Sequence, residues 1–209
     1  NTVTDRLIAA MAATERVVKY VDMPLQHAHA ETLRRMRRGG SAEGHLRLLE
    51  RFRAAMPGAA LRTTMIVGFP GETDAEFETL LDFVRDARFD HLGVFTYSHE
   101  DTTAAHELAD DVPREIKHAR RDRLMALQQS LVLERNEALV GHVVEAVVEG
   151  PHDETDLLLK ARMSTQAPDV DGQILINDGV AAPGAFVKVA LTEVAGYDLV
   201  GRIVDGDPA

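Results

Sequence analysis

Polar and apolar residues alternate along 61–69, "LRTTMIVGF", with the period of two that marks a strand. Leu61, Met65, Val67 and Phe69 share one face, suited to packing beneath helices. Arg62, Thr64, Ile66 and Gly68 share the other. That second face offers a cation, a hydroxyl, an aliphatic chain and then no side chain, which suits a ligand-facing wall, and Gly68 would let a flat ligand approach the backbone. Phe69 precedes a proline and is biased to extended geometry, and Pro70-Gly71 signals a turn. Thr73 and Glu76 have capping-box spacing, and Phe77, Leu80, Leu81 and Val84 supply the apolar stripe of a helix over 73–87. Taken locally, a plain strand-turn-helix joint explains the pattern equally well.

The same reading applied to the rest of residues 1–136 gives a short helix at the start, a β-rich run at 17–23 and a helix through "HAETLRRMRRGG" up to Gly39-Gly40. A second helix runs through Leu46, Leu49 and Phe52 to Pro57, and a third strand lies at 91–98. This β-α-β-α-β order predicts a parallel sheet with right-handed crossovers, in a class of α/β fold whose three strands are too few to close a barrel. A long helix starts near Pro113, carries Ile116, Leu124, Leu127 and Leu131 on one side, and stops at Gly141. Over 137–209 the pattern changes to short β-rich runs separated by Asp171-Gly172, Asp178-Gly179 and Pro183-Gly184, which predicts a small all-β, OB-like barrel.

Charge sharpens this division. The net charge is −11, with 19 Lys and Arg against 21 Asp and Glu up to Asn136, but 4 against 13 beyond it. A surface that binds nucleic acid needs clustered cations, so the second part argues for a basic protein partner and makes nucleic acid unlikely. Its acidic positions Asp153, Glu154, Asp156, Asp169 and Asp171 fit docking of such a partner, and an ordinary solubilising surface would look the same. Arg34, Arg35, Arg37 and Arg38 form a short basic run on one helix, read as a solvated face. The absence of cysteine excludes disulfides, thiolate catalysis, zinc-thiolate sites and cysteine-held clusters within the chain. No apolar run is long enough to cross a bilayer and no leader opens the chain, so a cytoplasmic, membrane-free protein is expected. The helix-like start at Asn1 resembles a cut inside a larger protein.

Several residues near the expected strand ends carry chemistry. Gln26 and His27 follow the strand at 17–23, at the end where parallel-barrel sites form. His27-Ala28-His29 has the H-x-H form of some metal sites, but no second ligand cluster accompanies it, so no metal site is expected. His91, His99 and His106 read as surface or loop histidines. Tyr97 ends the third strand on the same rim, as a substrate-facing ring or as a packed core ring.

The blocks "YVDMPLQHAHAETLRRMRR", "LRTTMIVGFPGET", "GVFTYSHEDTTAA", "RRDRLMALQQSLVLERNEALVGHVVEAVVEG" and "QAPDVDGQILIN" closely resemble the radical-SAM methylthiotransferases. The "PLQH" form and the "APDVDG…YDLVGR" tail resemble the members that methylthiolate an aspartate of a small-subunit ribosomal protein more than those that modify tRNA adenosine. The resemblance implies a partial radical-SAM (β/α) TIM-like barrel over 1–136 and a TRAM barrel over 137–209. It implies S-adenosyl-L-methionine and 4Fe-4S clusters as cofactors, while the family's CxxxCxxC segment is absent from this chain, which is therefore expected to be inactive alone. It places Ile66, Gly68 and Phe69 beside the adenine, and suggests Gln26 and His27 for the ribose or for substrate positioning. Arg62 and Thr64 are assigned to the cofactor's carboxylate or ribose, an ion pair inside the barrel being the other reading of Arg62. Tyr97, Asp169 and Asp171 are the substrate-side candidates. The competing functions are a tRNA adenosine methylthiotransferase and a non-catalytic, TRAM-containing binding module. An open half-barrel exposes strand edges, so self-association is expected.

Overall fold

The computed structural model describes residues 3–204, which fall into two units, one up to Leu131 and one from Val132. In the first, α1 (Asp5–Ala13), β1 (Tyr20–Asp22), α2 (Ala30–Arg35), α3 (Ala42–Ala55), β2 (Ala60–Val67), α4 (Asp74–Ala87) and β3 (His91–Thr96) precede a short 3-10 turn, Ala104–Glu107. Helix α5 (Arg114–Leu139) then runs out of this unit into the second. The three strands form a parallel sheet in the order β1-β2-β3.

The middle strand sorts its residues as the alternation requires. Leu61, Thr63, Met65 and Val67 are buried, while Arg62, Thr64 and Ile66 are only half-buried on the opposite face. The buried row joins Leu48, Leu49 and Phe52 of α3 and Phe77, Leu80, Phe83 and Val84 of α4 in one core. Each fully buried Leu or Phe contributes about 1.5–3 kcal/mol, which makes this one-sided packing the main support of the sheet. Helix α4 begins with the expected capping box, Thr73 and Glu76 each accepting from the other's backbone N–H, an arrangement worth about 1 kcal/mol.

Two elements are shorter than the pattern suggests. Strand β1 itself covers only Tyr20–Asp22, and pairing with β2 resumes beyond it as an isolated bridge between Gln26 and Met65, while Lys19 places its ammonium on the carbonyls of Met11 and Thr14 at the end of α1. Val17 and Val18 remain exposed. Helix α2 stops at Arg35 rather than near Gly39: Arg38 N–H donates to Leu33 O and Arg37 N–H to Arg34 O, with Arg37 at φ 56°. These two bonds make a Schellman stop whose left-handed position usually holds glycine.

The second unit is a closed barrel of β4 (Val143–His152), β5 (Thr155–Arg162), β6 (Ile174–Asp178), β7 (Phe186–Ala195) and β8 (Asp198–Ile203), in the order β4-β5-β6-β8-β7. Closure pairs both sides of every strand and leaves no edge. Ala146, Val148, Ala161, Ile174, Ile176, Val189, Leu191 and Leu199 fill its interior. Gly201 is forced by this packing, since a Cβ there would lie 2.5 Å from Val189 Cγ1 and 2.7 Å from the Ala190 carbonyl.

Candidate cofactor face and its rim

The half-buried face of β2 continues across its neighbours. The register sets Asp22 beside Arg62, Gly93 beside Thr64 and Phe95 beside Ile66, and Phe95 is 62% exposed. At the N-terminal end of the strands the Tyr20 and His91 rings stack with centroids 5.9 Å apart. A Cβ built on Gly93 meets Arg62, Phe95 and Thr64 atoms no nearer than 3.9 Å, so the middle of the face has room above this glycine. Arg62 donates to Asp22 at 2.8 Å, the ion-pair reading of that residue, on the same face as Thr64.

Gln26 is fastened to the C-terminal end of the sheet. Its N–H donates to Thr64 O at 2.9 Å and its carbonyl accepts from Ile66 N–H at 2.8 Å, while its φ of 73° is left-handed. Gln26, Ile66 and Phe69 thereby line one cavity of about 240 Å³ with Arg37, Arg38 and Ala104. His27 is not brought there. Its side chain is fully buried on the helix side, with Nδ1 accepting from His29 N–H at 3.0 Å, and burial drives its pKa down to about 3. Gln26 pairs with the sheet as a bridge residue, and adjacent side chains along such a segment point to opposite faces, so these neighbours in sequence do not share the rim.

The turn after β2 departs from expectation at Gly68. A Cβ there would lie 2.2 Å from Lys117 Cγ, so the space is filled by a lysine stem from α5 rather than left for a ligand on that side. Gly68 has φ 72° and Gly71 φ 74°. Glu72, buried, accepts from the N–H groups of Gly68 (2.5 Å) and Phe69 (3.1 Å), and Arg120 donates to its backbone carbonyl at 3.0 Å. Arg120 also lies 3.3 Å from the Glu72 carboxylate and donates to Asp74 at 2.7 Å. Burial pushes the Glu72 carboxyl up to about 7 against the pull of Arg120 and the two amides. Arg35 grips Glu76 with both terminal nitrogens (3.0 and 2.8 Å) and donates from Nε to Pro70 O at 3.1 Å. This corrects the reading of the arginine run as a uniformly solvated face, because Arg35 ties α2 to the turn.

Tyr97 extends the ladder by donating its N–H to Val67 O, packs edge-on to Phe69 with centroids 5.1 Å apart, and places its hydroxyl 3.1 Å from His99 Nδ1. Lys117 sits 5.0 Å over its ring and pairs with Asp110 at 2.5 Å. In the barrel, Asp171 closes its own loop by accepting from Ala167 N–H at 2.8 Å, while Asp169 is exposed at the loop tip with φ 64°. They border a groove with Glu149, Asp153, Lys160 and Arg162, whose two cations pair with Asp153 (2.9 Å) and Glu149 (2.7 Å). Among the described residues no group of three or more His, Cys, Asp or Glu is arranged to hold a metal, and no helix is long and apolar enough to cross a membrane.

An open parallel sheet with a Gly-Phe-Pro-Gly-Glu rim, joined to a small closed barrel, defines the class: residues 1–84 match the radical SAM superfamily and residues 140–204 match the TRAM domain. A solved radical SAM enzyme, coproporphyrinogen III oxidase (HemN) from Escherichia coli, shares the fold over 78% of this chain and 44% of its own, with TM-score 0.55 and 16% identity. More particularly, the chain is 52% identical over 99% of its length to "Ribosomal protein uS12 methylthiotransferase RimO" of Anaeromyxobacter sp. (strain K), and 46% identical over 96% to that of Myxococcus xanthus (strain DK1622). It is thus similar to the radical-SAM methylthiotransferases of the RimO kind, and spans 44% and 42% of the length of these two curated relatives.

Proposed function

We propose that this chain is the cofactor-facing and substrate-docking part of a transferase that methylthiolates an aspartate of a small-subunit ribosomal protein by radical S-adenosylmethionine chemistry. Residues 1–136 are taken as the C-terminal part of the radical SAM domain and 137–209 as the TRAM domain. The observation that carries the reading is an open polar sheet face whose rim joins Gln26, Ile66 and Phe69, in a chain 52% identical to a uS12 methylthiotransferase.

The residues present fit a nucleoside cofactor. Ile66 and Phe69 offer apolar contact and Gln26 an amide for hydroxyl groups, while Arg62 and Thr64 stand deeper on the same face, beside Gly93. Cofactor and clusters together supply hydrogen abstraction at an unactivated carbon and the sulfur and methyl groups. This chain's residues hold the nucleoside, and the Glu72–Arg120 clamp fixes the turn that carries Phe69. Cluster ligands of this class are cysteine thiolates. The chain has no cysteine, so no cluster-bound step is assigned to its residues. The acidic TRAM surface, including exposed Asp169 and half-buried Asp171, suits a basic ribosomal protein, and a ribosomal substrate supports a cytoplasmic parent.

The test uses the full-length parent with reduced clusters, cofactor and the ribosomal protein. A mass gain of one methylthio group on an aspartate is expected, and no gain on that protein would refute the reading. Tight tRNA binding that weakens steeply with salt would instead support the adenosine-modifying alternative.

A further inference from the structure

The most exposed large apolar side chains among the described residues are Val180 (96%), Leu157 (86%) and Phe186 (73%), and all three belong to the barrel. Topology gathers them. Strand β5 runs antiparallel to β4 and β6, β7 runs antiparallel to β4 and β8, and β6 runs parallel to β8. The start of β5, the end of β6 and the start of β7 therefore lie at one end of the barrel. Leu157 stands near the start of β5, Val180 just beyond β6, and Phe186 opens β7. Aliphatic side chains scattered singly over a surface are ordinary, whereas three at one end make a patch of the kind that meets a partner.

Charge decides the kind of partner. Residues 137–209 carry four cations, and each is set against a carboxylate. Lys160 pairs with Asp153 and Arg162 with Glu149, while Lys188 lies opposite Glu145 and Arg202 opposite Asp178 in the ladders. Glu154 and Asp156, on the hairpin that leads into Leu157, are exposed and have no ion-pair partner among the described residues. A basic chain supplies the missing countercharge, whereas nucleic acid or an anionic lipid surface is repelled. We infer that this end of the barrel docks a basic polypeptide segment, which lays aliphatic side chains on Leu157, Val180 and Phe186 and its Lys or Arg side chains against Glu154 and Asp156. Apolar contact at the centre supplies the affinity, and the carboxylates around it steer the segment and reject acidic ones. That the segment belongs to the modified ribosomal protein rests on the proposed function, whereas the preference for a basic, aliphatic segment rests on this end of the barrel.

The test is fluorescence anisotropy at low ionic strength, with the whole 209-residue chain and with the full-length parent. The probes are three dye-labelled peptides: acetyl-Lys-Val-Arg-Val-Lys amide, its counterpart with glycine for valine, and its counterpart with glutamate for Lys and Arg. The valine peptide is expected to bind saturably and to weaken with salt, the glycine peptide to bind about tenfold more weakly, and the glutamate peptide not to bind. The variant L157S/V180S changes two exposed side chains, and should weaken the valine peptide about tenfold while leaving the glycine peptide unmoved. The variant E154Q/D156N should flatten the salt dependence. Equal binding of the valine and glycine peptides, or valine-peptide binding unchanged in both variants, overturns the docking end. Binding by the 209-residue chain but not by the parent also overturns it, because the parent's own chain then covers the patch. Loss of self-association in L157S/V180S with peptide binding unchanged overturns it in favour of a second copy. In the parent, a raised KM for the ribosomal protein in L157S/V180S with kcat unchanged supports the patch as the substrate's dock. Peptide binding without methylthio transfer by the unaltered parent supports the docking end and removes only the reading of the reaction.

Discussion

The two units handle polar groups in opposite ways. In the second unit every barrel strand has two neighbours, the barrel interior is aliphatic, and the buried polar side chains among the described residues are the neutral amides Asn136 and Gln166. In the sheet unit β1 and β3 each pair with β2 alone, one face stays half open, and His27, His45, Glu72, Glu76, Lys117 and Arg120 are all buried. Ionisable groups are costly inside a protein unless paired. The first unit thus puts its stability into a fixed rim beside an open face, while the second closes its ladder around an aliphatic interior. The coarsest way to break this contrast is sedimentation. The intact chain should self-associate through its unpaired strand edges, and a monodisperse monomer would count against an open sheet.

The next largest effect tests the clamp. Arg120→Met leaves the Glu72 carboxylate buried without its counter-charge, and should cost the sheet unit about 3–5 kcal/mol at pH 8 in denaturant unfolding. The cost should shrink near pH 5.5, because a carboxyl pushed up to about 7 is then protonated. Adding Glu72→Gln to Arg120→Met should recover much of the loss. A pH-independent cost would mean that Arg120 acts through packing alone.

A pair of glycines compares the units directly. Gly201→Ala forces a methyl into Val189 and the Ala190 carbonyl, and should destabilise the barrel by about 1–3 kcal/mol. Gly93→Ala meets only ordinary contacts at 3.9 Å or more, and should change stability by no more than about 0.5 kcal/mol. If thermal unfolding shows Gly93→Ala to be the costlier change, the middle of the sheet face is not open.

The pH dependence sharpens the contrast further, because two buried groups oppose each other. His27 stays neutral in the fold down to about pH 3, so its contribution falls as pH drops below the unfolded value near 6.5; by pH 5 the loss is about 2 kcal/mol. Glu72 holds its proton up to about pH 7, so its contribution falls as pH rises from about 4.5 to 7. Between pH 5 and 6.5 the two slopes partly cancel in the unaltered chain. His27→Gln should therefore make the sheet unit gain stability towards acid, and Glu72→Gln should make it lose more than before. Parallel curves for both variants would remove these groups as the source.

Much of this was legible where a short period operates. The alternation in β2, the Thr73–Glu76 capping box and the runs that became β4 to β8 are local patterns, and structure follows them. Gln26, Ile66 and Phe69, from separate segments, line one cavity. What escaped depends on backbone reversal or on distant chain. His27 is buried while its neighbour Gln26, reversed to a left-handed φ, lines the cavity. Gly68 is packed by Lys117, and Glu72 is clamped by Arg120 from 48 residues away, contacts that no motif around the turn announces. Gly93 had a readable signal: a lone glycine inside a strand, in register with Thr64.

The smallest effect bears on why the rim is built as it is. A non-glycine residue in the left-handed region costs about 1–2 kcal/mol, and Arg37 occupies the glycine position of a Schellman stop. Arg37→Gly removes that strain but adds freedom to the unfolded chain, so a net gain of about 0.5 kcal/mol is expected in denaturant unfolding. A variant that loses stability would show instead that the Arg37 side chain is held by its surroundings strongly enough to outweigh the strain of φ 56°.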